Sequence, residues 1–345
     1  MEKRKKPTAR KMAEEVVARD RVIAKTKKEV AKDRAKYKIV LSYLDRTEKE
    51  NNALKAKSGN VFKIPEKVGS KDSEAVAIVL ASDWHIEELV RPEWVGGRNE
   101  YTLEIATERS AQFFQNTVRL FKKEQQDSRI ETMVLWLGGD FISGNIHLEI
   151  VETAQLLPIE AMIYAERLIK SGIQHILDHT NAKLVIPCSA GNHSRITEKQ
   201  RHATEVGNSL ETIMYHHLAQ HFAGNKRVQF ILQTGYHTVV SIYDNFKIRF
   251  HHGHQGFNYR GGIGGLYIPA RKAIAQWQKS EVVQFDAFGH WHNLKMDGDL
   301  FVCNGSMIGH TPYGLTFDYE KPKQAFFLID KKRGRTGFFP ITFNI

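Results

Sequence analysis

Five short stretches, Asp83-Trp84-His85, Gly139-Asp140, Gly191-Asn192-His193, His252-Gly253-His254 and Gly289-His290-Trp291-His292, each close a run that reads as a buried strand. The runs cover residues 75–82, 132–137, 183–189, 246–251 and 284–288. Side chains that gather at strand ends are what an open α/β sheet uses to hold a ligand. Asp83 and His85 are two residues apart, as are His290 and His292, so an extended backbone would project each pair to one side. The five stretches therefore predict one metal site assembled from five strand ends.

Imidazole nitrogens with carboxylate oxygens and no thiolate suit Mn2+, Fe2+, Zn2+ or Mg2+ rather than a cysteine-based structural zinc. Seven candidate ligands, Asp83, His85, Asp140, Asn192, His252, His290 and His292, exceed what one tetrahedral ion accepts. Two divalent ions, with one carboxylate between them, absorb the set. Two dications less the charges of Asp83 and Asp140 leave about +2, which suits a phosphate group and a hydroxide. Such ions lower the pKa of a bound water and clamp phosphoryl oxygens, so phosphoester hydrolysis is the chemistry this inventory favours.

The ordered series Asp-x-His, Gly-Asp, Gly-Asn-His, His and Gly-His-x-His resembles the calcineurin-like metallophosphoesterase superfamily over residues 75–310. The resemblance implies a β-sandwich of two mixed sheets flanked by helices and a two-metal centre, with Mn2+ the expected ion. Asp83, His85 and His292 would hold one metal, Asn192, His252 and His290 the other, and Asp140 would bridge them. His193 would stand beside the scissile phosphate as the catalytic proton donor or charge stabiliser. Asn99-Glu100-Tyr101, the Gly191 to Arg195 stretch and the Asn304 to Gly309 stretch resemble phage-encoded members and, more distantly, nuclease subunits of double-strand-break repair complexes. Two departures stand out. Ser194 and Arg195 occupy the place where many relatives carry an acid, so His193 needs another orienting group. His251, His252 and His254 compete for one ligand position, and the residue before Gly253 is taken.

A chain of 345 residues can bury a sizeable core. Cys188 and Cys303 are its two cysteines, so no disulfide framework is implied, and a reducing cytoplasm, that of an infected cell if phage-encoded, is the expected location. No apolar run has the length of a membrane span, and the amino terminus lacks a signal-peptide core. The formal charge is +11, and residues 1–58 hold 19 Lys and Arg against 9 Asp and Glu. The remainder carries 31 against 30, so nearly all the basic excess lies on one segment. That segment has no Gly or Pro after Pro7, which predicts one long helix or two in tandem. Val16, Ile23, Val30, Tyr37 and Leu44 recur every seven residues, but the partnering row is mostly charged, too thin a seam for a coiled coil. A solvated face and contact with a nucleic-acid backbone weigh about equally for this helix, with an oligomerisation arm behind them.

The expected organisation is a basic helical extension over 1–58, a linker over 59–74 and a metallophosphoesterase domain over 75–345. Helices are expected over 102–123, over 152–180 with interruptions at Pro158 and Gly172, over 197–222, and briefly around Ala273 and Trp277. Residues 228–250 read as three strands on the antiparallel side of a mixed sheet, and 324–330 and 338–343 as closing strands. Trp84 reads as core, and Trp94 and His147 as cleft candidates. His216, His217 and His221 read as surface side chains. The glycine cluster at 256–265 lacks a P-loop ending and reads as a loop bordering the cleft, with Tyr259 and Arg260 as substrate contacts. The expected activity is two-metal phosphodiester hydrolysis by a DNA nuclease that meets nucleic acid through the basic segment and the cleft. A phosphatase or small-nucleotide phosphodiesterase, and a nucleic-acid-binding scaffold of weak activity, are the alternatives. Homo-oligomerisation and a partner ATPase stay open, and no membrane is expected.

Overall fold

The structure, a computed structural model, describes residues 9–57, 62–63, 73–255, 265–316 and 320–343. Most of the glycine cluster, with Tyr259 and Arg260, lies outside the described residues. The chain divides into two compact units, Met1–Gly59 and Asn60–Ile345.

The first unit is built on one helix, α1 (Ala9–Lys57, 49 residues). An uninterrupted run of good helix formers gives one helix rather than two in tandem. Its heptad row is exposed, with Tyr37 at 73% and Val16 at 57%, as a single apolar row with no second row beside it must be. Among the described residues no helix is long and apolar enough to cross a membrane.

The second unit runs β1 (Phe62–Lys63), β2 (Glu74–Ala81), α2 (Leu103–Glu124), β3 (Arg129–Leu137), α3 (Leu148–Thr153), α4 (Pro158–His179) and β4 (Lys183–Pro187). It continues with α5 (Leu210–Phe222), β5 (Val228–Ile231), β6 (Thr238–Tyr243), β7 (Phe246–His251), α6 (Tyr267–Trp277) and β8 (Phe285–Phe288). The last elements are β9 (Lys295–Asp297), β10 (Phe301–Cys303), β11 (Lys323–Asp330) and β12 (Gly334–Thr342). They form two six-stranded mixed sheets, ordered β12-β11-β2-β3-β4-β5 and β1-β6-β7-β8-β10-β9. In the first, β2 to β5 are parallel and β11 and β12 antiparallel; in the second, β7, β8 and β10 are parallel.

Strand β2 shows why the first sheet is covered on both sides. Ala75, Ala77, Val79 and Ala81 enter the core shared with α2, α4 and α5, while Val76, Ile78 and Leu80 enter the core shared with the second sheet. A strand covered on both faces needs a continuous apolar run, which is what its sequence supplies. Trp136, Phe250, Phe285 and Phe327 fill the space between the sheets, at roughly 1.5–3 kcal/mol for each large side chain buried. Helix α6 covers the outer face of the second sheet through Ala270 and Ile274 on Phe288 and Phe301. The order of layers is helix, sheet, sheet, helix.

Four expectations change. The 197–222 helix begins only at Leu210, because the apolar periodicity starts there and the polar 197–209 run forms a loop with a 3-10 turn at Val206–Asn208. Pro158 opens α4 rather than interrupting it, its missing N–H costing nothing at the first turn. Gly172 stays helical inside α4, and it is a glycine because any Cβ there would overlap the Phe114 ring of α2. Finally, β5 joins β4 in parallel at the edge of the first sheet, so of these three strands only β6 and β7 pair antiparallel, in the second sheet. Phe62–Lys63, within the expected linker, adds a short edge strand beside β6.

Candidate metal centre

The ends of β2, β3, β4, β7 and β8 deliver the five motifs to one place. Asp83, His85 and His292 group together, as do His85, Asp140 and His193, and Asp140, His252 and His290, with the potential ligand atoms of each group within 4.8 Å of one another. His85 and Asp140 each belong to two of these groups, so the three overlap into one centre. All of these side chains except His193, His290 and His292 are almost fully buried.

The backbone that presents them is not extended. Asp83, His85, Asp140, His290 and His292 have φ of 57°, 49°, 53°, 70° and 50°. Pairs two apart therefore share a side because each sits in the left-handed region just past its strand, not because the strand continues. Non-glycine residues enter that region at a cost of order 1–3 kcal/mol each and stay only when surrounding bonds hold them. Here the bonds are visible. Asp83, Trp84 and Ile86 donate their amides to the carbonyls of Gly139, Asp140 and Phe141 at 2.9, 2.8 and 3.1 Å. The His290 amide donates to Asp83 Oδ1 at 2.9 Å, and the His193 amide to Asp140 Oδ1 at 2.9 Å. The loop glycines add close approach: Gly139, at φ 86°, packs so tightly on the Gly191 backbone that a side chain would collide.

The electrostatics follow from burial and crowding. His252 Nε2 lies 2.8 Å from Asp140 Oδ2 and its Nδ1 is 2.6 Å from the Gly138 carbonyl. Burial works against its charge, but Asp140 outweighs burial and lifts His252 to about 10. Burial likewise pushes Asp140 upward, and the neighbouring His252 and His193 overcome it, holding the carboxyl well below its ordinary range. Burial, with His193 and His292 alongside, drives His85 well below the usual imidazole value; burial, His252 and His254 do the same to His290. His85 Nε2 faces His292 Nε2 at 3.2 Å. Two imidazole nitrogens turned toward each other need a proton or a cation between them.

Whether the residues fit two ions can be judged from their unspent atoms. Asn192 Oδ1 is buried with no hydrogen-bond partner, at the cleft floor beside Asp140 and His193. An orphaned carbonyl oxygen costs about 1–3 kcal/mol unless something supplies a positive charge to it. The carboxylates and imidazoles of the three groups make a nitrogen and oxygen donor set of the kind borderline divalent ions accept, and this oxygen is a further unspent donor of the same cleft. The side chains fit a dimetal site.

Among the three competing histidines, His252 joins a cluster. His254 instead pairs with Glu205, and His251 stacks on Phe288 with ring centroids 5.1 Å apart. His193 donates Nδ1 toward the Ser143 carbonyl at 3.1 Å, which is the orienting contact that the missing acid leaves open. Ser194 has its own role, donating to Glu211 Oε2 at 3.0 Å. His147 is exposed with its ring 5.8 Å from that of His193. Trp84 is fully buried, whereas Trp94 lines the cleft. His216, His217 and His221 are exposed on α5, with His217 3.2 Å from Glu166.

No family model and no curated protein matches the chain. Solved structures do. A single mutant of Vps29 from Entamoeba histolytica is 16% identical over 78% of this chain and 99% of its own, with a TM-score of 0.30. A conserved protein from Streptococcus pneumoniae TIGR4, described as a predicted phosphoesterase, is 12% identical over 79% and 92%, with a TM-score of 0.33. A dimetal phosphatase from Danio rerio is 11% identical over 78% and 99%, with a TM-score of 0.35. At these scores the matches do not bear on what the site does, and its chemistry rests on its own atoms.

Several supporting residues are invisible in the motifs. Glu211 accepts from the Phe141 amide at 2.7 Å and the Gly191 amide at 2.8 Å, tying the second and third metal loops together. Burial and the nearby Asp140 raise its carboxyl to about 7. Glu87 accepts from the amides of Ser143 and Gly144, and burial raises it to about 8. Gln324 and Asn304 brace Ser82, which in turn donates to Asp83. Glu211 had a readable signal: it falls on the same helical face as Met214, Tyr215, Leu218 and Phe222, where a charge is out of place.

Proposed function

We propose that the chain is a two-metal phosphodiesterase that hydrolyses DNA, with Mn2+ the ion to test first. The observation that carries this reading is the position of Asp140, whose carboxylate belongs both to the group with His85 and His193 and to the group with His252 and His290. A carboxylate shared in this way is what two adjacent ions need between them. When bound there, the ions would lower the pKa of a water and neutralise phosphoryl oxygens. Asp83, His85 and His292 would hold one, and Asn192, His252 and His290 the other.

The chain's own residues supply the rest. Since Nδ1 of His193 is committed to the Ser143 carbonyl, Nε2 is the atom that carries a proton to the departing oxygen. Burial lowers His193, and Asp140 and the Ser143 carbonyl pull the other way, so an arriving phosphate anion favours the protonated form that donation requires. The choice of DNA is supported by the basic segment, 19 Lys and Arg against 9 acids in residues 1–58, which suits a polyanion.

The test is hydrolysis of labelled single- and double-stranded DNA by the full chain with Mn2+, alongside a small phosphomonoester and a small phosphodiester, for wild type and Asp140→Ala. DNA cleavage that falls steeply with salt and vanishes in Asp140→Ala is expected. Turnover of the small esters alone sinks the DNA reading and promotes the phosphatase alternative.

A further inference from the structure

The centre forms the floor of a cleft of about 480 Å³, within the size range of small-ligand sites. The floor is polar. The lining also holds large apolar side chains: Trp94, Leu148, Ile150, Pro312 and Tyr313. Leu148 is 82% exposed, Tyr313 70% and Trp94 37%, so large apolar surfaces face water beside the most polar part of the molecule. Among the cleft's described lining residues there is no Lys or Arg, whereas Glu88, Glu149 and Glu320 are present.

The segments that carry Leu148 and Tyr313 are tied to the centre. On one side, the ring of His147 lies 5.8 Å from that of His193, and α3 begins at the next residue, Leu148. On the other side, the Met307 amide donates to the Asp83 carbonyl at 3.0 Å. Buried Arg109 donates to the Met307 and Ile308 carbonyls at 2.9 and 3.1 Å, and Asn99 to the Ile308 and His310 carbonyls at 2.9 and 2.8 Å. The segment that carries Pro312 and Tyr313 therefore leaves a fixed anchor behind the first metal loop.

We infer that these side chains form one wall of the cleft, a stacking platform for an unpaired nucleobase flanking the scissile phosphate, which makes single-stranded DNA, or a single-stranded end, the preferred substrate. The inference rests on the DNA reading and deepens it. A wall of flat and apolar side chains favours a neutral ring, and aromatic stacking accepts any base because every base has a π-face. A base held in a duplex keeps its faces against its neighbours and cannot offer them. One phosphate at the floor with a base against the wall satisfies both halves of the cleft.

The experiment compares cleavage of a labelled oligothymidylate with that of an equally long strand carrying abasic sites, using the full chain with Mn2+. Wild type, Tyr313→Ala, Trp94→Ala and Tyr313→Phe are assayed. Stacking loss predicts about a tenfold rise in KM for the alanine variants with kcat little changed, near-wild-type behaviour for Tyr313→Phe, and a matching penalty for wild type on the abasic strand. Tyr313→Ala should add no further loss on the abasic strand, which a merely structural defect would. Equal KM for the two strands in wild type, or an unchanged KM in both alanine variants, overturns the platform and leaves the DNA reading intact. If wild type cuts neither strand but hydrolyses a small phosphoester, both readings fall.

Discussion

Trp84 meets Phe141 edge to face, with ring centroids 4.9 Å apart and planes at 76°. Each ring belongs to a residue next to a site carboxylate, Trp84 after Asp83 and Phe141 after Asp140, so packing couples two of the five loops. Trp84 also meets Phe113 and Phe114 of α2 at 5.8 and 6.1 Å, and its carbonyl accepts from Tyr101 Oη at 2.6 Å. Because left-handed residues on both sides of Trp84 need outside support, the indole anchors the loop as well as filling the core. Trp84→Ala is expected to cost roughly 3–5 kcal/mol in denaturant unfolding and to weaken metal binding. Calorimetric titration with Mn2+ reads the second effect; unchanged metal affinity would show that the indole serves the core alone.

Behind Asp83 stands a polar brace with no direct contact to the cleft. Asn304 Nδ2 donates to Ser82 Oγ at 2.9 Å, and Gln324 Nε2 donates to the carbonyls of Ser82 and Gly305 at 3.1 and 2.7 Å. Gln324→Ala leaves buried carbonyls without donors and lets Ser82 turn away from Asp83. Supporting residues of this kind change metal affinity by about 10–100-fold, so the variant should need more Mn2+ to reach the wild-type rise in melting temperature. An identical metal-dependent shift in the two proteins would place Gln324 outside the support of the centre.

The sequence made the strands legible because β2, the second half of β3 and β4 are covered on both faces and read as apolar runs, while β7 alternates Phe246, Ile248 and Phe250 with polar residues at strand period. The motifs showed which residues end those runs. The left-handed backbone at Asp83, His85, Asp140, His290 and His292 was not legible, because it is imposed by hydrogen bonds from distant loops, as between Asp83 and His290, 207 positions apart. Glu211 and Gln324 were hidden for the same reason: each acts on backbone groups that only the folded sheets bring near. The start of α5 was misplaced because polar residues after Thr197 are compatible with a helix but have no apolar face to dock one.

Gly191 leaves no room beside Asp140. A Cβ at this position would overlap Asp140 Oδ1 and the Asp140 amide nitrogen. Those neighbours are a loop backbone and a carboxylate already held by His252 and the His193 amide, so neither can yield cheaply. Gly191→Ala should therefore displace the shared carboxylate and lower metal-dependent turnover by about 100-fold or more, a larger loss than removing one supporting residue gives. Far-ultraviolet circular dichroism should remain that of wild type, because the clash is confined to two loops. Wild-type turnover in this variant would mean that the loops shift together without moving the ligand atoms.

Asp330 offers a pH test far from the centre. Burial alone would raise its carboxyl, but hydrogen bonds from Arg333 and Ser73 and from the amides of Lys332 and Arg333 bring it down to about 2. A carboxyl with a folded value below its unfolded value near 4 favours the native state when ionised. That contribution is complete above the unfolded value and is lost as pH falls from about 4 through about 2, where the folded group itself takes a proton. Discounted for solvent screening around the exposed Arg333 partner, the shift corresponds to roughly 1–2 kcal/mol, tying the end of β11 to the residue that precedes β2. Asp330→Asn removes the charge but keeps the shape. The difference in unfolding free energy between wild type and Asp330→Asn should be largest from about pH 5 upward and should shrink toward zero near pH 2. A difference that stays constant across that window would assign the stabilisation to neutral hydrogen bonding rather than to the carboxylate.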